Sequence, residues 1–313
     1  MRKLLRTTTA YRAIAEGASR GEAAHFTLVL FSDEKYLRAL LTECAKAFFG
    51  AEDGSRTARL IDAQSFSDCL FYPAAGGKLT AELAGAILDE SLLRPVEGDK
   101  KLIVLDAFQT VTPLVQNKLL KLLEEPPAGV YFLAGATAEH TVLSTVLSRA
   151  NVRRVAPFRE EEIEAALGRM HPGAEGVRAA AAASGGVLSV GEALLAGGGE
   201  DFRLAVRFLE GEDAASVCRA AGERGKTFFA ALRLVLRDVL LRAAGQERYA
   251  VLPAAQTAHL VQRYPAGALV AALGDAAQAE REILFNSNPA QAALALALRM
   301  ERGRKLFETQ ERR

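Results

Sequence analysis

The sequence predicts an α/β domain built on a parallel sheet, followed by an all-helical second half. Three observations carry this. Short apolar runs alternate with helical patterns as far as Pro157. Those runs are mostly apolar, as strands covered on both faces require, rather than alternating. From Glu160 the chain turns alanine-rich and helical, with no strand of similar quality.

Taken in order, residues 26–31 (FTLVLF) read as a buried strand rich in β-formers, and 36–49 follow with apolar residues at helical spacing. Residues 59–62 (RLID) are compatible with a second, short strand. Residues 80–93 predict a helix capped by Thr80, with Leu83, Ile87 and Leu88 on one face. Residues 101–106 (KLIVLD) form the clearest strand signal, an apolar run closed by an acid. A helix over 112–125 is stopped by Pro126 and Pro127, and 130–135 (VYFLAG) give a further strand. Beyond Pro157, breaks at 171–173, 185–186 and 197–199 divide the helices. Residues 227–244 place Phe228, Leu232, Val235, Leu236, Val239 and Leu240 at helix spacing, which reads as a core-facing stripe.

Composition narrows the class. The 313 residues suggest two or three domains. Three cysteines, at 44, 69 and 218, neither build a disulfide framework nor show paired metal-ligand spacing. A net charge of +1 argues against a chain that holds nucleic acid by bulk charge. There is no uninterrupted apolar run of spanning length, and the basic residues 1–6 lead into Thr7, Thr8 and Thr9 rather than an apolar signal core, so the expected location is cytoplasmic.

A phosphate loop needs glycines, so that backbone N–H groups can wrap phosphate, and a lysine that reaches it. After the first strand the sequence is Ser32-Asp33-Glu34-Lys35-Tyr36-Leu37-Arg38, with no glycine and two acids. Lys35 lacks a cradle. Asp106 ends a strand where a magnesium-holding acid would sit, but the next residue is Ala107, and a lone acid there is commonly structural. Glu124 and Glu125 are neighbours on a helix and do not face each other, so they read as termination and packing residues. Cys44 reads as a small buried hydrophobe. His25, His140, His171 and His259 are scattered, without metal-ligand spacing. On residue type alone, Arg149 is an ordinary surface arginine pairing with a nearby acid.

Two strings change that reading. RPVEGDKK over 94–101, leading into the strand that ends at Asp106, and VQNKLLKLLEEPP over 115–127 resemble the AAA+ modules of bacterial clamp loaders. The second string resembles that of the DNA polymerase III gamma/tau and delta-prime subunits. Leu147-Ser148-Arg149 matches the Ser-Arg-Cys motif of the same family, with Ala150 in place of cysteine. Asn286-Ser287-Asn288-Pro289 resembles a segment of the family's C-terminal collar, and His25 begins a match to the stretch before its P-loop.

The resemblance implies an AAA+-type domain over 1–157, a helical lid over 158–205 and a helical collar, the oligomerisation domain, over 206–313. Its departures imply a type of member. The P-loop lysine position falls on Leu37, and the loop glycines are gone. No cysteine lies between 50 and 62, so the zinc module of many relatives is missing. The partner of the Asp106 acid is Ala107. The sensor 1 threonine falls on Ala136, with Thr137 one residue late, and the sensor 2 arginine falls near Gly191 and Glu192. Arg149 persists. This resembles a delta-prime-type member, part of a DNA polymerase holoenzyme but without ATPase activity of its own. The implied finger is Arg149, with Ser148 in its motif, acting on a neighbour's nucleotide. No cofactor and no metal are expected. Partners would be gamma/tau and delta subunits, the sliding clamp indirectly and primer-template DNA through the ring, with no membrane. Arg153, Arg154 and Arg159 bring positive charge near the domain boundary, read as a solvated face or lid contacts, so DNA binding by the isolated chain would be weak. Alternatives are a divergent gamma/tau-type ATPase, a delta-type subunit, and a degenerate AAA+ adaptor outside replication.

Overall fold

The computed structural model describes residues 1–211, 213–284 and 287–311. The chain divides into two compact units, Met1–Pro157 and Phe158–Arg313.

The first unit opens with two helices, α1 (Arg2–Leu5) and α2 (Thr9–Arg20), the latter capped by Thr8. Strand β1 (Phe26–Leu30) is buried along its whole length. Helix α3 (Glu34–Phe48) follows, its inner face made by Leu37, Leu40, Leu41, Cys44 and Phe48 at helical spacing. Helix α4 (Arg56–Asp62) occupies the segment that RLID suggested as a strand. The correction has a local cause. Ser55 accepts a hydrogen bond from the Ala58 N–H at 3.1 Å, and Ala58 and Ile61 are buried one helical turn apart. The second strand is instead β2 (Cys69–Tyr72), a run of four bounded by Asp68 and Pro73. Then come α5 (Ala81–Ser91), capped by Thr80 as its sequence predicts, β3 (Lys101–Leu105), α6 (Pro113–Glu124), β4 (Val130–Ala136), α7 (Ser144–Leu147) and β5 (Asn151–Arg154).

The five strands form one sheet in the order β2-β3-β4-β1-β5, with every pairing parallel. Helices α3, α5 and α6 bury its central strands, which explains why those strands lack polar alternation. Strand β5 (NVRR) is short, polar and at the edge, where polar residues discourage further pairing.

The N-terminal helices are tied down by charge. Arg6 Nε donates to Glu43 at 2.6 Å, and Lys46 Nζ lies 2.9 Å from Glu43 and 2.6 Å from Asp62. Arg6 also forks onto Asp53. Glu43 and Lys46 are each 2% exposed, so this network is interior.

The second unit is helical: α8 (Glu160–Met170), α9 (Val177–Ala183), α10 (Leu188–Ala196), α11 (Glu200–Glu210), α12 (Ala214–Arg224), α13 (Lys226–Ala243), α14 (Ala254–Val261), α15 (Ala266–Leu284) and α16 (Pro289–Glu311). Helix α13 is the hub, packed by α9, α10, α11, α14 and α15, and its Phe228, Leu232, Val235, Leu236 and Val239 are fully buried. Residue 205, the expected end of the lid, lies inside α11, which runs unbroken from Glu200 to Glu210. Asn288 Oδ1 accepts from the Ala290 and Gln291 N–H groups and caps α16, with Pro289 at its first position. Asn286 lies outside the described residues. Among the described residues no helix is long and apolar enough to cross a membrane.

Candidate functional site

In an open α/β sheet the place for a ligand is the crevice beyond the C-terminal strand ends where neighbouring connections leave in opposite directions. Here that place lies between β1 and β4. From β1 the chain runs out to β2, whereas from β4 it runs past β1 to β5. The crevice is filled by the chain itself. Phe31 N–H donates to the Ala136 carbonyl at 2.9 Å across it. Leu37, 1% exposed, points onto β4, where the absence of a side chain at Gly135 makes room. A Cβ at Gly135 would lie 2.9 Å from Leu37 Cδ1 and 2.7 Å from Leu41 Cδ1. The position that the resemblance assigns to a phosphate-binding lysine thus holds an apolar side chain packed into the sheet. Asp33, just before α3, is buried, while Glu34 and Lys35 are exposed.

One residue further on, Arg38 occupies the end of β3. Its Nη1 donates to Asp106 Oδ2 at 2.7 Å and to the Pro73 carbonyl at 3.2 Å, and its Nη2 donates to Gln64 Oε1 at 2.8 Å. The guanidinium carbon lies 5.3 Å from the centre of the Phe71 ring. Asp106 also accepts from the Ala107 N–H at 2.8 Å. Three oxygens and a ring face therefore converge on one fixed cation. Two non-glycine residues at this site, Gln64 and Ala107, have left-handed backbones, with φ of 53° and 50°. Such conformations persist only where surrounding contacts hold them. Sequence reasoning missed Arg38, Gln64 and Phe71, which come from three separate elements.

The other charged feature lies along α6. At its start, the buried Gln116 side chain donates to the Val111 and Thr141 carbonyls at 2.9 and 3.1 Å and accepts from the Leu143 N–H at 2.9 Å. This anchors the segment that leads into α7, whose Val146 is fully buried. At its end, Pro126 and Pro127 stop the helix: Glu125, with φ −129° and ψ 72°, has left the helical range. Glu124, in the last turn, meets Arg149. Arg149 Nε lies 2.8 Å from Glu124 Oε2, and Nη2 donates to Oε1 at 3.3 Å. Nη1 donates to the Thr145 carbonyl at 3.0 Å and to Ser148 Oγ at 3.4 Å. The Arg149 side chain is 36% exposed and that of Glu124 49%. The nearby guanidinium holds the Glu124 carboxyl below its ordinary range, and Glu124 in turn raises Arg149. The nearby acid that residue type alone suggested for Arg149 is therefore Glu124, which the sequence assigned to termination and packing.

Asp106 and Arg149 share no partner: the first is bound by Arg38, the second by Glu124. Ala136 is buried at the end of β4. Gly191 is buried where a Cβ would come within 3.1 Å of Leu167, and Glu192 lies 3.8 Å from His171. Arg154 pairs with Glu139 and Arg159 with Glu162. His25 stacks on Tyr131 and His259 meets Glu210. The three cysteines are buried and unbridged, and burial pushes each thiol up. Among the described residues no three His, Cys, Asp or Glu side chains gather closely enough to hold a metal.

Comparison with known proteins adds the following. Residues 7–159 match the sequence pattern of the family described as "DNA polymerase III, delta subunit". A stretch of 69 residues is 32% identical to the DNA polymerase III subunit delta' of Buchnera aphidicola subsp. Baizongia pistaciae, taking in 22% of this chain and 20% of that protein. The chain thus matches a fifth of that relative's length. Among solved structures it is similar to a DNA polymerase III gamma subunit-related protein of Thermotoga maritima (17% identity, TM-score 0.43, 94% of this chain and 99% of that one). It is also similar to the DNA clamp loader delta protein of Bacillus subtilis (11% identity, TM-score 0.35, 93% and 99%).

Proposed function

We propose, from the match of residues 7–159 to the family described as DNA polymerase III, delta subunit, that the chain is a non-catalytic, delta-prime-like subunit of a clamp loader. In that role it supports ATP-driven loading of the sliding clamp at primed DNA alongside gamma/tau- and delta-type subunits. It contributes Arg149 to a nucleotide bound by its neighbour.

The observation that carries this reading is the occupied crevice. Leu37 fills the space above β4, and Arg38 satisfies Asp106 with the chain's own positive charge. A bound magnesium–nucleotide would have to displace both. Hydrolysis in cis would also lack a water-polarising acid, because Ala107 follows Asp106. Arg149, in contrast, is on the surface, on a segment anchored by Gln116 and Val146. A guanidinium is always charged and presents a planar fork that suits phosphate oxygens. Supplied in trans, such a residue accelerates phosphoryl transfer by about 10³–10⁵-fold in other systems. A chain with no nucleotide of its own can still need that arginine, because the arginine serves another subunit's site.

The test is Arg149→Ala in a loader reconstituted with its partner subunits, clamp and primed DNA. The ring should assemble and the chain should keep its fold, while DNA-stimulated ATPase slows. An unchanged rate refutes the finger role. Titration of the isolated chain with ATP separates the gamma/tau-type alternative, since micromolar affinity would contradict a filled crevice.

A further inference from the structure

Arg149 is engaged within its own chain, and the way it is engaged has a functional reading. Each guanidinium nitrogen has a partner: Nε and Nη2 face the two Glu124 oxygens, and Nη1 faces the Thr145 carbonyl and Ser148 Oγ. The Nε–Nη2 edge is the one taken by the carboxylate: Nη2 donates to Oε1 at 3.3 Å, and Nε lies 2.8 Å from Oε2 as an ion pair. An arginine also grips phosphate oxygens along its N–H donors. That edge cannot hold Glu124 and a phosphate at once.

The placement of Glu124 is not explained by the helix that carries it. It lies in the last turn of α6, at the negative end of the helix dipole, where a carboxylate is disfavoured. It is half exposed and fills no core position. Arg149 is the partner that makes an acid at this point favourable, and with Glu124 held below its ordinary range the pair is charged at neutral pH.

We propose that Glu124 is a latch for Arg149: it mimics the terminal phosphate of a neighbour's nucleoside triphosphate, holds the finger docked along α6, and is displaced when that phosphate arrives. This rests on the finger role of Arg149. The latch competes with the phosphate, so the apparent strength of the finger is reduced by the fraction of time it is docked. Ion pairs as exposed as this one are weak, corresponding to a docking preference of about 1.5- to 5-fold, which is enough to tune the finger without silencing it.

Glu124→Gln removes the charge and keeps the length and helix propensity of the side chain. In the reconstituted loader at sub-saturating ATP, this variant should raise DNA-stimulated ATPase about 2.5- to 6-fold. The double variant with Arg149→Ala should fall to the rate of Arg149→Ala alone, and thermal unfolding of each chain checks that the fold is kept. A Glu124→Gln rate equal to wild type overturns the latch. A rate that drops toward that of Arg149→Ala also overturns it, and makes Glu124 a residue that aims the finger instead. If Arg149→Ala itself runs at the wild-type rate, the finger role fails and the latch fails with it, so the two failures are told apart by the single Arg149 variant.

Discussion

Replacing Arg38 with alanine would take away one cation from three acceptors at once. Asp106 would lose its 2.7 Å partner and keep only the Ala107 N–H, while Gln64 and the Pro73 carbonyl would lose a donor each. The side chains of Arg38 and Asp106 are 19% and 13% exposed, so the pair lies between two measured regimes. Breaking a fully buried pair costs about 3–5 kcal/mol, and an exposed one contributes about 0.2–1 kcal/mol. An intermediate loss of about 2–3 kcal/mol follows. For cooperative unfolding of the first unit, Met1–Pro157, that lowers the melting temperature by roughly 4–12 °C. Thermal unfolding of Arg38→Ala, Asp106→Ala and the double variant measures it. The two single losses should fail to add, with a coupling of about 1–2 kcal/mol. Arg38→Lys should recover only part of the loss, since an ammonium lacks the fork that spans Asp106 and Gln64. A melting temperature within a degree of wild type for Arg38→Ala would refute the idea that this cation holds the end of β3.

Gln116→Ala would leave the Leu143 N–H without its acceptor, a cost of about 1–3 kcal/mol that falls on one segment. Amide exchange over 139–149 should speed up more than exchange in β1, and equal protection in variant and wild type would count against the anchor. Asp53 and Glu97 have folded pKa values below their ordinary 3.8 and 4.5, because Arg6 and Arg56 hydrogen-bond their charged forms. Their stabilisation is complete above about pH 4.5 and is lost as pH falls through the lower folded values. The melting temperature should therefore be flat near neutrality and decline below about pH 4, and a curve still flat at pH 2.5 would contradict this. Glu43→Ala should lower the urea midpoint by more than Asp53→Ala does, because it removes a buried acid from between Arg6 and Lys46.

Much of the fold was legible because the physics acts locally. A strand covered on both faces must be largely apolar, and β1, β3 and β4 are, with Thr27 and Lys101 the polar residues of the first two. The same rule fails at the sheet edges. NVRR carries no apolar signal because an edge strand does not need one, and CLFY is too short to stand out beside Pro73. RLID reads equally as strand or helix by composition, and the deciding feature, the Ser55 cap, lies four residues upstream. Arg149 and Asp106 were singled out by motif. Their partners were not, since Arg38 and Glu124 lie 68 and 25 residues away in sequence and meet them only through the sheet order and the direction of α6.

Strand β1 is paired on both sides, to β4 on one and to β5 on the other. The segment 137–150 therefore leaves the sheet beside Leu30, whose neighbour is Ala136, and rejoins it beside Thr27, whose neighbour is Asn151. It is a span with both abutments on the same five-residue strand. Sliding it sideways would mean breaking register on one flank of β1 or the other. The arginine near the end of that span consequently has the freedom of a rotamer but not of a loop: its backbone is surveyed to a fixed point, and only its reach is adjustable.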